Sequence, residues 1–167
     1  MTVLAVVSAA YALLVLVMPG FGPPFIAERR VVVPIALNAH LVGGLTAPAV
    51  GPWQMNSRRR ALALGWHRWM GRTYVVAVLV GGLGALGLAS SSQEGFVTHV
   101  GFGMMAELWL TATLQAYLRI RAGDQLRHRE WMIRSFALTL AAVMLRVYLP
   151  LSQLVGIPFS DAHQAVA

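Results

Sequence analysis

The chain has 167 residues, of which 57% are hydrophobic and 11% charged, and its mean hydropathy is +0.65. Soluble globular domains carry about 25% charged residues, so this composition indicates a membrane protein. The thirteen basic residues outnumber the six acidic ones, and the chain has no cysteine, which excludes disulfides and thiolate ligands. The basic residues are all arginines that cluster at the ends of apolar runs, which favours lipid headgroups over nucleic acid as counter-ions.

Apolar runs in chain order predict the transmembrane helices, because a bilayer core needs about 20 consecutive apolar residues. Five runs meet this criterion: 2–18, 31–50, 64–89, 96–118 and 131–156. Glycine, proline and charged residues separate them, and no segment between them resembles a domain linker. The sequence therefore predicts an all-α polytopic membrane bundle of about five transmembrane helices, in a single membrane domain over residues 1–167.

An internal repeat organises this predicted bundle. His40 begins "HLVGG" and His99 begins "HVGFG", while His67 begins "HRWMGR" and His128 begins "HREWMIRS". The period is about sixty residues, as expected for two copies of a helical hairpin. We expect these segments: 1–30 as an extra N-terminal helix and outer loop, 31–90 as the first hairpin, 91–156 as the second and 157–167 as a polar tail.

The arginines predict the orientation of the bundle. Ten of them flank the second and fourth loops: Arg58, Arg59, Arg60, Arg68, Arg72, Arg119, Arg121, Arg127, Arg129 and Arg134. The opposite side has Arg29 and Arg30. The positive-inside rule then predicts that the second and fourth loops and the N-terminus are cytoplasmic and that the C-terminus is outside.

Sequence offsets predict the depth of the histidines. His40 precedes Arg58 by 18 residues and His99 precedes Arg119 by 20, which places both about 27 to 30 Å above the charged rim if the segments are helical. His67 and His128 would share an inner level. Helical phase predicts that two sets of residues share a face with these inner histidines: Gly71, Tyr74, Val78 and Gly81 with His67, and Ser135, Thr139, Arg146 and Gln153 with His128.

Two charged residues lie inside predicted spans. Glu107 and Arg146 are each 12 residues from an arginine at the inner end of their span, so we expect them at similar depth on antiparallel helices. A buried charge is costly unless it is paired. The sequence therefore predicts a buried ion pair, which is either an interhelical clamp or part of a proton or anion pathway.

The architecture resembles the transmembrane dihaem cytochrome b family, which moves electrons from ascorbate or similar donors. That resemblance implies two haem b groups with paired histidines as iron ligands, His40 with His99 and His67 with His128. It implies that arginines hold the inner propionates, namely Arg68, Arg72, Arg129 and Arg134, and that Arg29 or Arg30 serves the outer ones. The inner histidines of this chain lie closer to the membrane interface than the resemblance implies.

A second resemblance rests on sequence motifs. "GPWQ", "HRWMGRTY" and "HREWMIRSFALT" are similar to motifs of an uncharacterised bacterial family of multi-pass membrane proteins, over residues 36 to 150. This resemblance implies a membrane protein and no particular activity.

Several functions therefore remain open. One is electron transfer through haem b, with a quinone or another redox partner. A second is an accessory subunit that packs with other membrane subunits and has no cofactor of its own. A third is a transporter or metal-handling protein. Each motif also has a structural interpretation, since arginine and tryptophan anchor helices at interfaces, histidine bonds across helices, and glycine permits close packing.

Overall fold

The computed structural model describes residues 2–18, 20–22, 24–55, 63–91, 95–158, 161–162 and 165. Arg58, Arg59 and Arg60 lie outside this range. The described part of the chain contains six helices of nine or more residues and no strand. They are α1 (Thr2–Val17), α2 (Pro24–Val32), α3 (Pro34–Gln54), α4 (Leu64–Ser90), α5 (Phe96–Arg121) and α6 (Gln125–Leu154).

The short helix α2 differs from the sequence prediction, which places an outer loop between the first helix and residue 30. Pro24 is its first residue, where the fixed φ of proline favours helix initiation and no amide hydrogen is needed. The helix ends at Val32 because the following Val33 precedes Pro34, and a residue before proline avoids the α conformation. Pro34 then begins α3.

Helix α6 begins six residues earlier than the predicted span. Gly123 adopts a φ of +80°, which lets the chain turn sharply after α5. Asp124 then caps α6, because its Oδ1 accepts a hydrogen bond from the Arg127 backbone N–H at 3.0 Å. His128 therefore lies in the first turn of a helix and not in a loop.

Glycines bring α3 and α4 into backbone contact. A Cβ atom on Gly43 would lie 2.4 Å from Cα of Gly81, and one on Gly84 would lie 2.5 Å from the backbone N of His40. Such distances leave no room for a side chain. The predicted role of small residues as helix-packing contacts holds for this pair of helices.

The main helices form a ring. α3 packs against α4, α4 against α5, and α5 against α6, while α6 makes a smaller contact with α3 that closes the ring. Consequently α4 and α6 face each other across its diagonal. α1 packs on the outside of α3, through a cluster of Val15, Leu37 and Leu41, and touches α6 slightly.

The outer surface is apolar, as a lipid-facing surface must be. Exposed side chains include Val3 at 74%, Leu83 at 63% and Leu108 at 55%. Among the described residues, Leu64–Ser90 and Gln125–Leu149 are long and apolar enough to cross a bilayer by length and composition, and Val3–Val17 is a shorter apolar helix. The all-α membrane bundle is thus confirmed, while the count of five spans stays a prediction.

Candidate functional site

The polar stripe predicted on α6 faces the interior of the bundle. Ser135 is fully buried and Thr139 is 3% exposed, and Arg146 reaches across to α1. The side chain of Gln153 lies outside the described part of the structure. On α4, the residues in phase with His67 also point inward, since Tyr74 and Val78 are fully buried.

A network of buried hydroxyl groups fills the centre of the ring. The Tyr74 hydroxyl lies 2.9 Å from Ser135 Oγ and 2.9 Å from Thr139 Oγ1. Trp109 Nε1 donates to Thr139 Oγ1 at 3.0 Å, and Thr113 Oγ1 lies 2.6 Å from Ser135 Oγ. Every member therefore has a partner on another helix, which is what buried polar groups in a low-dielectric interior require.

Tyr74 connects the two diagonal helices through this network. Its side chain spans the gap between α4 and α6, which do not pack closely against each other. Trp109 and Thr113 of α5 were not predicted as site residues. Their signal in the sequence is a face of small or polar residues at helical spacing, Ala106, Trp109, Thr113 and Ala116, all of which are buried.

The same contact fixes the relative level of His67 and His128. Tyr74 follows His67 by seven residues and Ser135 follows His128 by seven residues. Seven residues of a helix rise by about 10.5 Å. They rotate by about 20° less than two full turns, so residues seven apart lie on nearly the same side. Because the Tyr74 and Ser135 side chains meet, the histidines lie at one level, on the sides of α4 and α6 that face each other.

The His128 imidazole is held by its neighbouring helix. Its Nδ1 lies 2.8 Å from the backbone O of Ala116, so it donates this hydrogen bond, and Nε2 has no partner among the described residues. His67 is half-buried in the first turn of α4. Met70 follows His67 by one helical turn and Met132 follows His128 by one turn, and both methionines are buried. The inner level therefore combines two histidines with apolar walls.

The outer histidines are not brought together. His40 is half-buried, and its Nδ1 lies 3.2 Å from the backbone O of Gly81 on α4. His99 is exposed in the first turn of α5, and α3 and α5 are diagonal in the ring. The glycines that follow these histidines also differ, because Gly44 contacts Arg146 whereas Gly103 has open space around it.

The arginines proposed for the inner propionates lie at the inner end of the bundle. Arg68, Arg72, Arg129 and Arg134 are all exposed. The Arg134 guanidinium stacks 4.5 Å from the ring centre of Trp131. Trp66 and Trp69 stack on each other with ring centres 5.4 Å apart. Exposed tryptophans beside arginines are typical of a helix end at the membrane interface.

The two outer arginines tie helix ends together. Arg29 is 7% exposed and donates from Nη1 to the backbone O of Ser91 at 2.5 Å. Arg30 donates from Nη2 to the backbone O of Val15. Both side chains satisfy carbonyl groups at the ends of α1 and α4, which otherwise have no partner in the helix.

The structure does not bring Glu107 and Arg146 together as an ion pair. Arg146 Nη1 donates to Ser8 Oγ at 3.1 Å, and Glu107 is exposed on α5. An ion pair lies instead at the start of α6, between Asp124 and Arg127. Counting residues estimated depth, but Glu107 is one residue from the buried Ala106 and therefore points about 100° away from the interior face.

No group of three or more His, Cys, Asp or Glu side chains that could hold a metal ion occurs in the part of the chain described here. A haem held by two histidines needs only two protein ligands, so it does not require such a group of three.

Comparison with known proteins gives one result. No curated protein and no solved structure matches the chain. The family described as "Predicted membrane protein (DUF2306)" matches residues 37–167, which include α4, α5, α6 and nearly all of α3. The chain therefore belongs to the DUF2306 family of predicted membrane proteins.

Proposed function

We propose that this membrane protein binds one haem b between His67 and His128 and transfers electrons within the bilayer. The observation that carries the proposal is the register of α4 and α6, which gives the two histidines one level and facing sides. Haem iron with bis-imidazole ligation needs two histidines opposed in this way.

The surroundings of the histidines fit the group. The hydrogen bond from His128 Nδ1 to the Ala116 carbonyl fixes the ring and leaves Nε2 as the ligand atom, an arrangement that ligating histidines commonly have. Two turns from the histidines, the side chain of Tyr74 fills the gap between α4 and α6.

The remaining residues have distinct roles in this proposal. Met70 and Met132 offer flexible apolar side chains to the faces of the haem. The exposed Arg68, Arg72, Arg129 and Arg134 offer guanidinium groups to the propionates at the inner surface. The Tyr74 network closes the interior above the site and separates it from the outer half of the bundle.

When bound, haem b supplies a one-electron carrier whose potential depends on its axial ligands and surroundings. The protein holds the ligand atoms and excludes water with its apolar walls. We propose that the electron comes from a quinone or another redox partner at the cytoplasmic surface of a bacterial inner membrane.

The test compares single variants produced in haem-replete cells and purified in mild detergent. We expect His67→Ala and His128→Ala each to lose most of the bound haem, measured by the Soret band relative to protein. His99→Ala is the matched control, since His99 is exposed at the other end of the bundle. A wild-type protein without a Soret band, or equal haem in all three variants, would contradict the proposal.

A further inference from the structure

Arg146 occupies a polar position that the proposed haem site does not use. It lies eight residues before the end of α6 at Leu154, and its partner Ser8 lies nine residues before the end of α1 at Val17. These offsets correspond to depths of about 12 and 14 Å below the helix ends. The guanidinium is therefore well inside the bundle, between α1, α3 and α6.

Neutral groups surround this guanidinium. Ser8 Oγ accepts a hydrogen bond from Nη1 at 3.1 Å, Tyr11 lies one turn beyond Ser8 on α1, and His40 lies one turn before Gly44 on α3. Among the described residues, no carboxylate pairs with Arg146. Because arginine stays protonated in proteins, this position carries a fixed positive charge that no described carboxylate neutralises.

The guanidinium has space because of a glycine. Nη2 of Arg146 lies 2.6 Å from where a Cβ of Gly44 would be. Arg146 is half-buried. Its Nη1 bonds to Ser8, while its Nε and Nη2 groups have no hydrogen-bond partner among the described residues. These N–H groups therefore have hydrogen-bonding capacity that the described residues do not use.

Arg146 lies beside the junction of α1 and α6, because its partner Ser8 belongs to α1. α1 and α6 make a slight contact, and the outward side chains of α1 are apolar, including Val7 and Leu14. A molecule that enters between these helices must have an apolar body. A molecule that neutralises Arg146 must carry an anionic oxygen group.

We infer that Arg146, Ser8 and Tyr11 bind the oxyanion of an amphipathic molecule, a carboxylate or a phosphate, which enters between α1 and α6. Arg146 donates to the anion through the N–H groups that Ser8 leaves available. The Ser8 and Tyr11 hydroxyls add neutral donors beside it. Gly44 keeps the guanidinium seated against α3.

The test measures binding of three probes to the purified protein by native mass spectrometry. The probes are oleate, dioleoyl phosphatidic acid and the neutral oleyl alcohol. We expect at least one anionic probe to bind about tenfold or more tightly than the alcohol, the order expected for hydrogen bonds to a charged group. The tighter anion identifies the source as a fatty acid or a phospholipid, and equal binding indicates recognition of any oxyanion.

Two variants test the assignment to Arg146. Arg146→Gln should abolish the preference for anions. Gly44→Ala should reduce it while keeping the charge, because the new methyl group displaces the flexible end of the arginine and leaves the backbone in place. Arg121→Gln, which removes an exposed arginine at the inner end of α5, is the matched control and should retain the preference.

The inference is overturned if wild-type protein binds the alcohol as tightly as both anions, or if Arg146→Gln binds anions as wild type does. Unchanged anion preference in folded Gly44→Ala protein also contradicts it. None of these readouts depends on haem, so failure of the proposed haem site and failure of this anion site are distinguishable.

Discussion

Replacing Tyr74 by phenylalanine should destabilise the bundle by removing one hydroxyl. The ring would remain in its fully buried position, so no large cavity forms. The hydroxyl contacts Ser135 Oγ and Thr139 Oγ1, each at 2.9 Å, and both are lost. Hydrogen bonds between membrane helices contribute about 0.6 to 2 kcal/mol each, which predicts a loss of about 1 to 4 kcal/mol for the two bonds.

The lower half of that range is expected, because neither threonine nor serine is left without a partner. Trp109 still donates to Thr139, and Thr113 still contacts Ser135. The assay is reversible unfolding in mixed detergent micelles, followed by helical circular dichroism. Tyr148→Phe is the matched control, since the Tyr148 side chain is 53% exposed. Equal unfolding free energies for the two variants would refute the buried network.

Two further predictions use the same unfolding assay. Gly43→Ala should destabilise the protein by about 1 to 3 kcal/mol, because the new methyl group would lie 2.4 Å from the Gly81 backbone. Gly103→Ala should be tolerated, because no atom lies within 4 Å of its new Cβ. Similar losses for both variants would argue against close packing of α3 on α4. Glu107→Gln should leave stability unchanged, because Glu107 is exposed and unpaired in the described structure, while a loss of about 3 to 5 kcal/mol would restore the buried ion pair that the sequence suggested.

Apolar run length predicted most of the fold. Four of the predicted spans coincide with α1, α3, α4 and α5 to within a few residues at each end. α2 was missed because it is short and contains Glu28, Arg29 and Arg30, which give no hydrophobic signal. The start of α6 was missed because the helix extends through charged residues, initiated by the Asp124 cap. Pro24 begins α2 and the Asp124 cap begins α6, and hydropathy detects neither signal.

The candidate site shows where sequence reasoning reaches its limit. Helical phase identified the inward face of α6, because its polar residues recur at steps of 7 and 11 from His128. Depth counting failed for Glu107, since residues at equal depth can point in any direction around a helix. The partner of Arg146 could not be predicted, because Ser8 comes from α1, whose position against α3 depends on packing of Val15 with Leu37 and Leu41.

The number of haem groups per chain tests the central claim most directly. The measurement is a pyridine haemochrome assay with protein quantification, on wild-type protein purified from haem-replete membranes. The facing histidines His67 and His128 predict one haem b per chain, since His40 and His99 are not brought together. A value of zero would contradict the haem site, and a value of two would contradict the separation of the outer histidines.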